Sequence, residues 1–147
     1  MKHIKIHKKV FFSILAIIIL QFGCYSQSFE IPEKPSFIHP IMDLDKTGTL
    51  TESETQQLYQ KLKNYSDSTS TEVLVIIVKT TQGEDIARYA TDLGHKWQIG
   101  QKGKDNGIIL LIAKDDRKIN ISTGYGTEHL MTDALSRRII EGVITPE

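Results

Sequence analysis

Past residue 26 the chain contains no cysteine, its only one being Cys24. That absence excludes disulfide stapling of the folded part and any cysteine nucleophile. No Arg-His-Gly run supplies a histidine nucleophile, and no serine sits on a Gly-x-Ser-x-Gly turn. No apolar run reaches the roughly twenty residues that a membrane-spanning helix needs. Neither sign of charge is in excess, with 18 Lys and Arg against 18 Asp and Glu. There is no internal repeat and no low-complexity tract, and 147 residues are about one domain by length.

What is present begins with a basic start, Lys2, Lys5, Lys8 and Lys9. From Val10 to Leu20 every residue but Ser13 is apolar, and Cys24-Tyr25-Ser26 then places small residues where a signal peptidase needs them. These three features predict a secretory signal over residues 1–26. The run is short for a bilayer, so membrane anchoring is the lesser alternative. Cleavage would remove four lysines and no acid, leaving 14 basic against 18 acidic groups, a net charge of −4. That argues against nucleic acid as a partner and mildly for cations. The expected product is an exported monomer, periplasmic or secreted, held together by burial alone.

Residues 27–40 carry Pro32, Pro35 and Pro40 without an apolar period and read as an extended leader, with the domain expected over 41–147. Thr51 to about Ser66 reads as a helix, opened by the capping box Thr51-Glu52-Ser53-Glu54 and carrying Leu58, Leu62 and Tyr65 at helical spacing. Glu72 to Val78 and Gly107 to Ala113 read as strands buried on both faces. Between them Glu84 to Trp97 is helical, with Ile86, Tyr89, Ala90, Leu93 and Trp97 on one face. Lys118 to Ser122 alternates as a half-exposed strand after the tight turn Lys114-Asp115-Asp116-Arg117. Thr132 caps a last helix with Leu135, Ile139, Ile140 and Val143. This order implies a three-layer α/β domain, its first two strands parallel and its third antiparallel to the second.

The run Trp97-Gln98-Ile99-Gly100-Gln101-Lys102-Gly103-Lys104-Asp105-Asn106-Gly107, followed by Ile108 to Ala113, resembles the central motif of the TPM-domain family. So do Arg117 to Gly126, Glu128 and Leu130-Met131-Thr132-Asp133, and the Gly48-Thr49-Leu50-Thr51 approach to the first helix. The resemblance spans roughly residues 38–146. It implies an α/β/α sandwich around a mixed, mostly parallel sheet with one antiparallel hairpin, in exported, periplasmic or thylakoid-lumen proteins. Plant relatives are associated with photosystem repair and described as acid phosphatases, and metal binding is reported in the family. Family domains usually continue past the proline here at Pro146, so the chain is expected to lack a C-terminal segment.

Two ends of the sheet collect polar residues. The hairpin should bring Asp105 and Asn106, entering the second strand, to Gly124-Tyr125-Gly126 and Glu128, with Asp133 opening the last helix. Asp105, Asn106, Glu128 and Asp133 are the first candidate oxygen cage for Ca²⁺ or Mg²⁺. Their plainer reading is a turn, a cap and a solvated acid. His95 and Trp97 are read as surface and packing residues. The opposite end should gather Asp43, Asp45 and Thr47 near Thr80, Thr81, Asp115 and Asp116. Asp43, Asp45, Thr47 and Glu54 have calcium-loop spacing, with Gly48 at the sixth place, and form the second and weaker candidate site. Asp45-Lys46-Thr47-Gly48-Thr49-Leu50-Thr51 also resembles the phosphorylated loop of P-type ATPases and haloacid dehalogenases. Those enzymes place the aspartate after a buried strand, and Phe37 to Met42 is a poor one. The third reading is a turn leading into a capped helix. The expected function is an exported cation-binding module (Ca²⁺ or Mg²⁺) that serves envelope or membrane proteins as an accessory or maintenance factor. A metal-dependent acid phosphatase and a non-catalytic structural interaction domain are the alternatives.

Overall fold

In a computed structural model that describes residues 29–144, the two β-branched runs form the centre of the sheet. We label the strands β1 (Ile41–Asp43), β2 (Glu72–Val78), β3 (Gly107–Ala113) and β4 (Lys118–Thr123). The helices are α1 (Glu52–Thr69), α2 (Ile86–Trp97) and α3 (Asp133–Ile139), and a π-helical turn follows over Ile140–Ile144. The strands lie in the order β1-β2-β3-β4. β2 and β3 pair in parallel from Glu72↔Gly107 to Val78↔Ala113, and β4 folds back antiparallel on β3. The expected α/β architecture, a mixed sheet with one antiparallel hairpin, is present. The expected signal lies outside the described residues. Among the described residues no helix is long and apolar enough to cross a membrane.

Alternation along the strands makes two cores. Leu74, Ile76 and Val78 of β2, with Ile109, Leu111 and Ala113 of β3, meet Tyr89, Ala90, Leu93 and Trp97 of α2. The opposite face offers Ile41, Val75 and Ile77 to Leu58, Tyr59 and Leu62 of α1. None of the eighteen residues of α1 is fully buried, whereas α2 buries four, so the α2 side carries most of the packing energy. The placement has a topological consequence. β1, β2 and β3 run parallel and in sequence order across the sheet, yet their two connecting helices lie on opposite faces. The two crossovers therefore have opposite hands, and one of them departs from the usual right-handed rule.

Four expectations are corrected in detail. Phe37 to Met42 does contain a strand: β1 pairs in parallel with β2 from Ile41↔Val75 to Asp43↔Ile77, and three residues are too few to show a period. The proline segment is extended but docked, because Phe29, Ile31 and Ile38 pack against the α2 core. There Trp97 Nε1 donates to Pro32 O at 2.9 Å and Lys96 Nζ to Ile31 O at 2.8 Å. α1 runs past Ser66 to Thr69, where Thr69 Oγ1 bonds back to Tyr65 O, and stops at Ser70 in the left-handed conformation. α2 starts at Ile86 rather than Glu84, because Asp85 is the cap and accepts from Ala87 N and Arg88 N.

Candidate functional site

The amino end of β3 is approached by the long loop 98–106, and its shape follows from a few side chains. Asn106 is nearly buried, at 9% exposure. Its Oδ1 accepts from Gln101 N at 2.8 Å and its Nδ2 donates to Ser70 O at 2.6 Å. Glu72, at the start of β2, accepts from Gly100 N at 2.8 Å. Gly100 has φ +101°, and a Cβ there would lie 2.9 Å from Gly107 N, so glycine is required. The loop leaving β4 lies directly on this one. Gly124 N donates to Gly107 O at 2.8 Å and Gly126 N to Asp105 O at 3.0 Å. A Cβ at Gly124 would collide with Asp105 O, and one at Gly126 with Lys104 O. Thr127, 1% exposed, fixes the far side through Oγ1 to Gly124 O at 3.0 Å. The motif glycines are thus the condition for two loops to stack backbone on backbone.

Beside the stacked loops lies a cleft of about 350 Å³ between α2 and the β3–β4 hairpin. Ala90, Gly94, Ile99 and Ile109 give it an apolar floor. Thr91 and His95 come from α2, Ser122 and Thr123 from β4, and Asp105, Tyr125 and Glu128 from the stacked loops. Of the first candidate set, the structure brings Asp105 and Glu128 to this one cleft. Asn106 instead has its amide committed to Ser70 and Gln101. Asp133 is exposed in the first turn of α3 and does not line the cleft. The carboxylates of Asp105 and Glu128 have no hydrogen-bond or ion-pair partner among the described residues. Thr91, His95 and Ser122 were not expected at a site. One signal for Ser122 was available: Asn120 and Ser122 share the face of β4 that looks toward α2, paired opposite Leu111 and Ile109, and two polar residues on an inward face mark a wet edge.

From the carboxyl end of β1 into the first turn of α1, each carboxylate of the second set already accepts at least one hydrogen bond. Asp43 Oδ1 accepts from Thr47 N at 2.8 Å, and Oδ2 from Thr47 Oγ1 at 3.0 Å and Gly48 N at 2.9 Å. Partial burial pushes the Asp43 carboxyl up, but these hydrogen bonds, with help from Lys114, bring it below its ordinary value. Asp45 Oδ2 accepts from Lys79 N at 2.7 Å. Glu54 Oε2 accepts from Thr51 N at 2.8 Å, completing the capping box. Asp116 Oδ2 accepts from Thr81 N at 2.8 Å, and that bond is the main reason its carboxyl also lies below its ordinary value. β1 supplies the strand that an aspartyl-phosphate loop requires, yet it ends on an aspartate whose two oxygens already accept three hydrogen bonds.

A family model for the TPM domain matches residues 44–147, most of the chain and all of both loops. The chain belongs to the TPM-domain family. Two solved structures share the TPM-like fold. One is the N-terminal domain of a P. gingivalis protein, with a TM-score of 0.62 and 24% identity over 69% of this chain. The other is the N-terminal domain of a Corynebacterium glutamicum protein, with a TM-score of 0.53 and 19% identity over 75% of this chain. The chain spans 64% of the P. gingivalis domain and 68% of the C. glutamicum domain. No curated protein matches the chain. As for a metal, among the described residues no group of three or more His, Cys, Asp or Glu lies together to hold one. Neither four-residue set forms a cage as it stands, and of the first set only Asp105 and Glu128 line the cleft.

Proposed function

We propose that this TPM domain is an exported binding module and that the cleft beside the stacked loops is its ligand site, taking a cation. The observation that carries the reading is that two carboxylates without protein partners, Asp105 and Glu128, line one cleft, with no lysine or arginine in its described lining. Ca²⁺ or Mg²⁺ would be held by Asp105 and Glu128, with water completing the shell, because two carboxylates are fewer than either ion prefers. Weak affinity follows, on the order of 10⁻⁴ to 10⁻³ M, the range of extracellular calcium modules. Such a module serves envelope or membrane proteins as an accessory factor rather than by turnover. The test is a Ca²⁺ and Mg²⁺ titration of the full chain followed residue by residue by NMR. Saturable shifts at residues 105 and 124–128, lost in Glu128→Gln, support the reading. Shifts confined to residues 43–54 would refute it.

The acid-phosphatase alternative gains β1, but that strand ends on Asp43, whose two oxygens are held by Thr47 and Gly48, and Asp45 has one oxygen engaged by Lys79 N. Turnover of a model phosphate ester should stay within a few-fold in Asp45→Asn. A loss of about a hundredfold, the usual scale for a catalytic group, would reinstate the aspartyl-phosphate route.

A further inference from the structure

The cleft has a feature that a bare metal ion does not use. Ala90, Gly94, Ile99 and Ile109 form a floor of carbon beneath a rim that holds both free carboxylates. A hydrated divalent ion gains nothing from such a floor. A ligand with a hydrocarbon body and a cationic head gains from both parts. The volume, about 350 Å³, is that of a site for a small organic molecule rather than of an ion cage, since small-molecule sites begin near 300 Å³.

We infer that the cleft binds a small organic ammonium ion, an alkylamine in its protonated form, with its carbon chain on the Gly94–Ile109 floor and its charged head between Asp105 and Glu128. The inference rests on the proposal that this cleft is the ligand site, and it names the class of cation. Charge selects the head: of the lining side chains only His95 can carry a positive charge, while two can carry a negative one. The Thr91, Ser122 and Thr123 hydroxyls are acceptors for the ammonium protons that the carboxylates leave unmatched. Tyr125, 79% exposed at the same cleft, supplies an aromatic ring of the kind that attracts ammonium groups. Gly94 limits the depth. A Cβ there would lie 3.0 Å from Ile109 Cδ1, so the helix approaches the strand as closely as that side chain allows.

The experiment is an NMR titration of the full chain with ammonium, ethylammonium and n-butylammonium chloride, with butan-1-ol as the neutral control and CaCl₂ in a separate series. Saturable shifts at Thr91, His95, Gly124 and Glu128 are expected with butylammonium. Its affinity should exceed that of ethylammonium by about fifteenfold, from two further buried methylenes. Butan-1-ol should give no saturable shift at Glu128, and Glu128→Gln should weaken butylammonium at least fivefold. Equal affinity for ammonium and butylammonium, or undiminished butylammonium binding in Glu128→Gln, would overturn the inference. Calcium binding without any butylammonium binding would overturn it while leaving the cation-site reading intact. Absence of both would end both.

Discussion

Asp43, Asp45 and Asp116 at one end of the sheet and Asp105 and Glu128 at the other are used in opposite ways. At the carboxyl ends of β1–β3, Asp43, Asp45 and Asp116 each accept a backbone N–H, Asp43 from its own turn and the other two from a distant segment. At the other end Asp105 and Glu128 accept nothing from the described residues, and the loops are shaped by the amide of Asn106, by Glu72 accepting from Gly100 N and by glycine contacts. Open α/β sheets usually bind ligands outside the carboxyl ends of their strands. Here Asp43, Asp45 and Asp116 hold loops in place at that end, while the cleft lined by two unpartnered carboxylates lies at the end the rule does not favour. Position in the fold suggests where a site could be; the hydrogen bonds already made by each carboxylate decide whether it is open.

The largest effect should come from the stacked loops. Gly126→Ala places a methyl group on Lys104 O, and both partners are backbone, so neither can turn aside. Overpacking of that kind destabilises by about 3 kcal/mol. Urea unfolding of the full chain should show it, and the cleft resonances should broaden. Little change in the midpoint would mean that the loops are not stacked as described.

Asn106→Ala comes next. It leaves Ser70 O and Gln101 N without their partners at a nearly buried position, at a cost of about 1–3 kcal/mol. Hydrogen exchange should speed up at Gln101 more than in α1. Uniform change across the chain would point to loss of packing instead of loss of this clamp.

At the opposite end the expected effect is smaller and depends on pH. The Asp116 carboxyl lies below its ordinary value chiefly because Thr81 N–H donates to it. A depressed folded pKa contributes stability that is complete above the unfolded pKa and fades as pH falls through the folded value. Asp116→Asn should thus cost about 0.5–1 kcal/mol at pH 6, after allowance for solvent screening, with the gap closing below about pH 4. A gap that widened in acid would contradict the assignment.

Much of this architecture was legible before the structure. β2 and β3 match their expected bounds because β-branched residues buried on both faces leave a dense signal, and the capping box placed the start of α1 because its chemistry is local. What was not legible depended on distant partners. β1 is three residues long and exists through its pairing with β2. The proline segment docks through carbonyls that meet Lys96 and Trp97 some 65 residues away. The candidate sites divide along the same line. That Asp105 and Glu128 share a cleft followed from the hairpin topology. That Asn106 is a clamp required knowledge of Ser70 and Gln101, and spacing alone could not say that the Asp43 oxygens were already taken.

The smallest effect on stability, and the sharpest test of the comparison, is expected at Asp105. The residue is exposed and has φ +47°, a conformation that asparagine tolerates nearly as well as aspartate. Asp105→Asn therefore removes the charge without straining the backbone, whereas alanine would confuse the two. No hydrogen bond of the described residues ends on this carboxylate, so nothing is lost from the fold, and Asp105 O still accepts from Gly126 N. Surface changes of this sort stay within about 0.5 kcal/mol. Cation affinity at the cleft should nevertheless fall at least fivefold, since one of two free carboxylates is gone. Asp43→Asn should show the reverse, a loss of stability with cleft affinity unchanged, because its oxygens hold Thr47 and Gly48 at the far end. The pair is read by urea unfolding and NMR titration on the same samples. Should Asp105→Asn destabilise the fold while cleft binding survives, this end too would be structural, and the division of labour between the two ends would be lost.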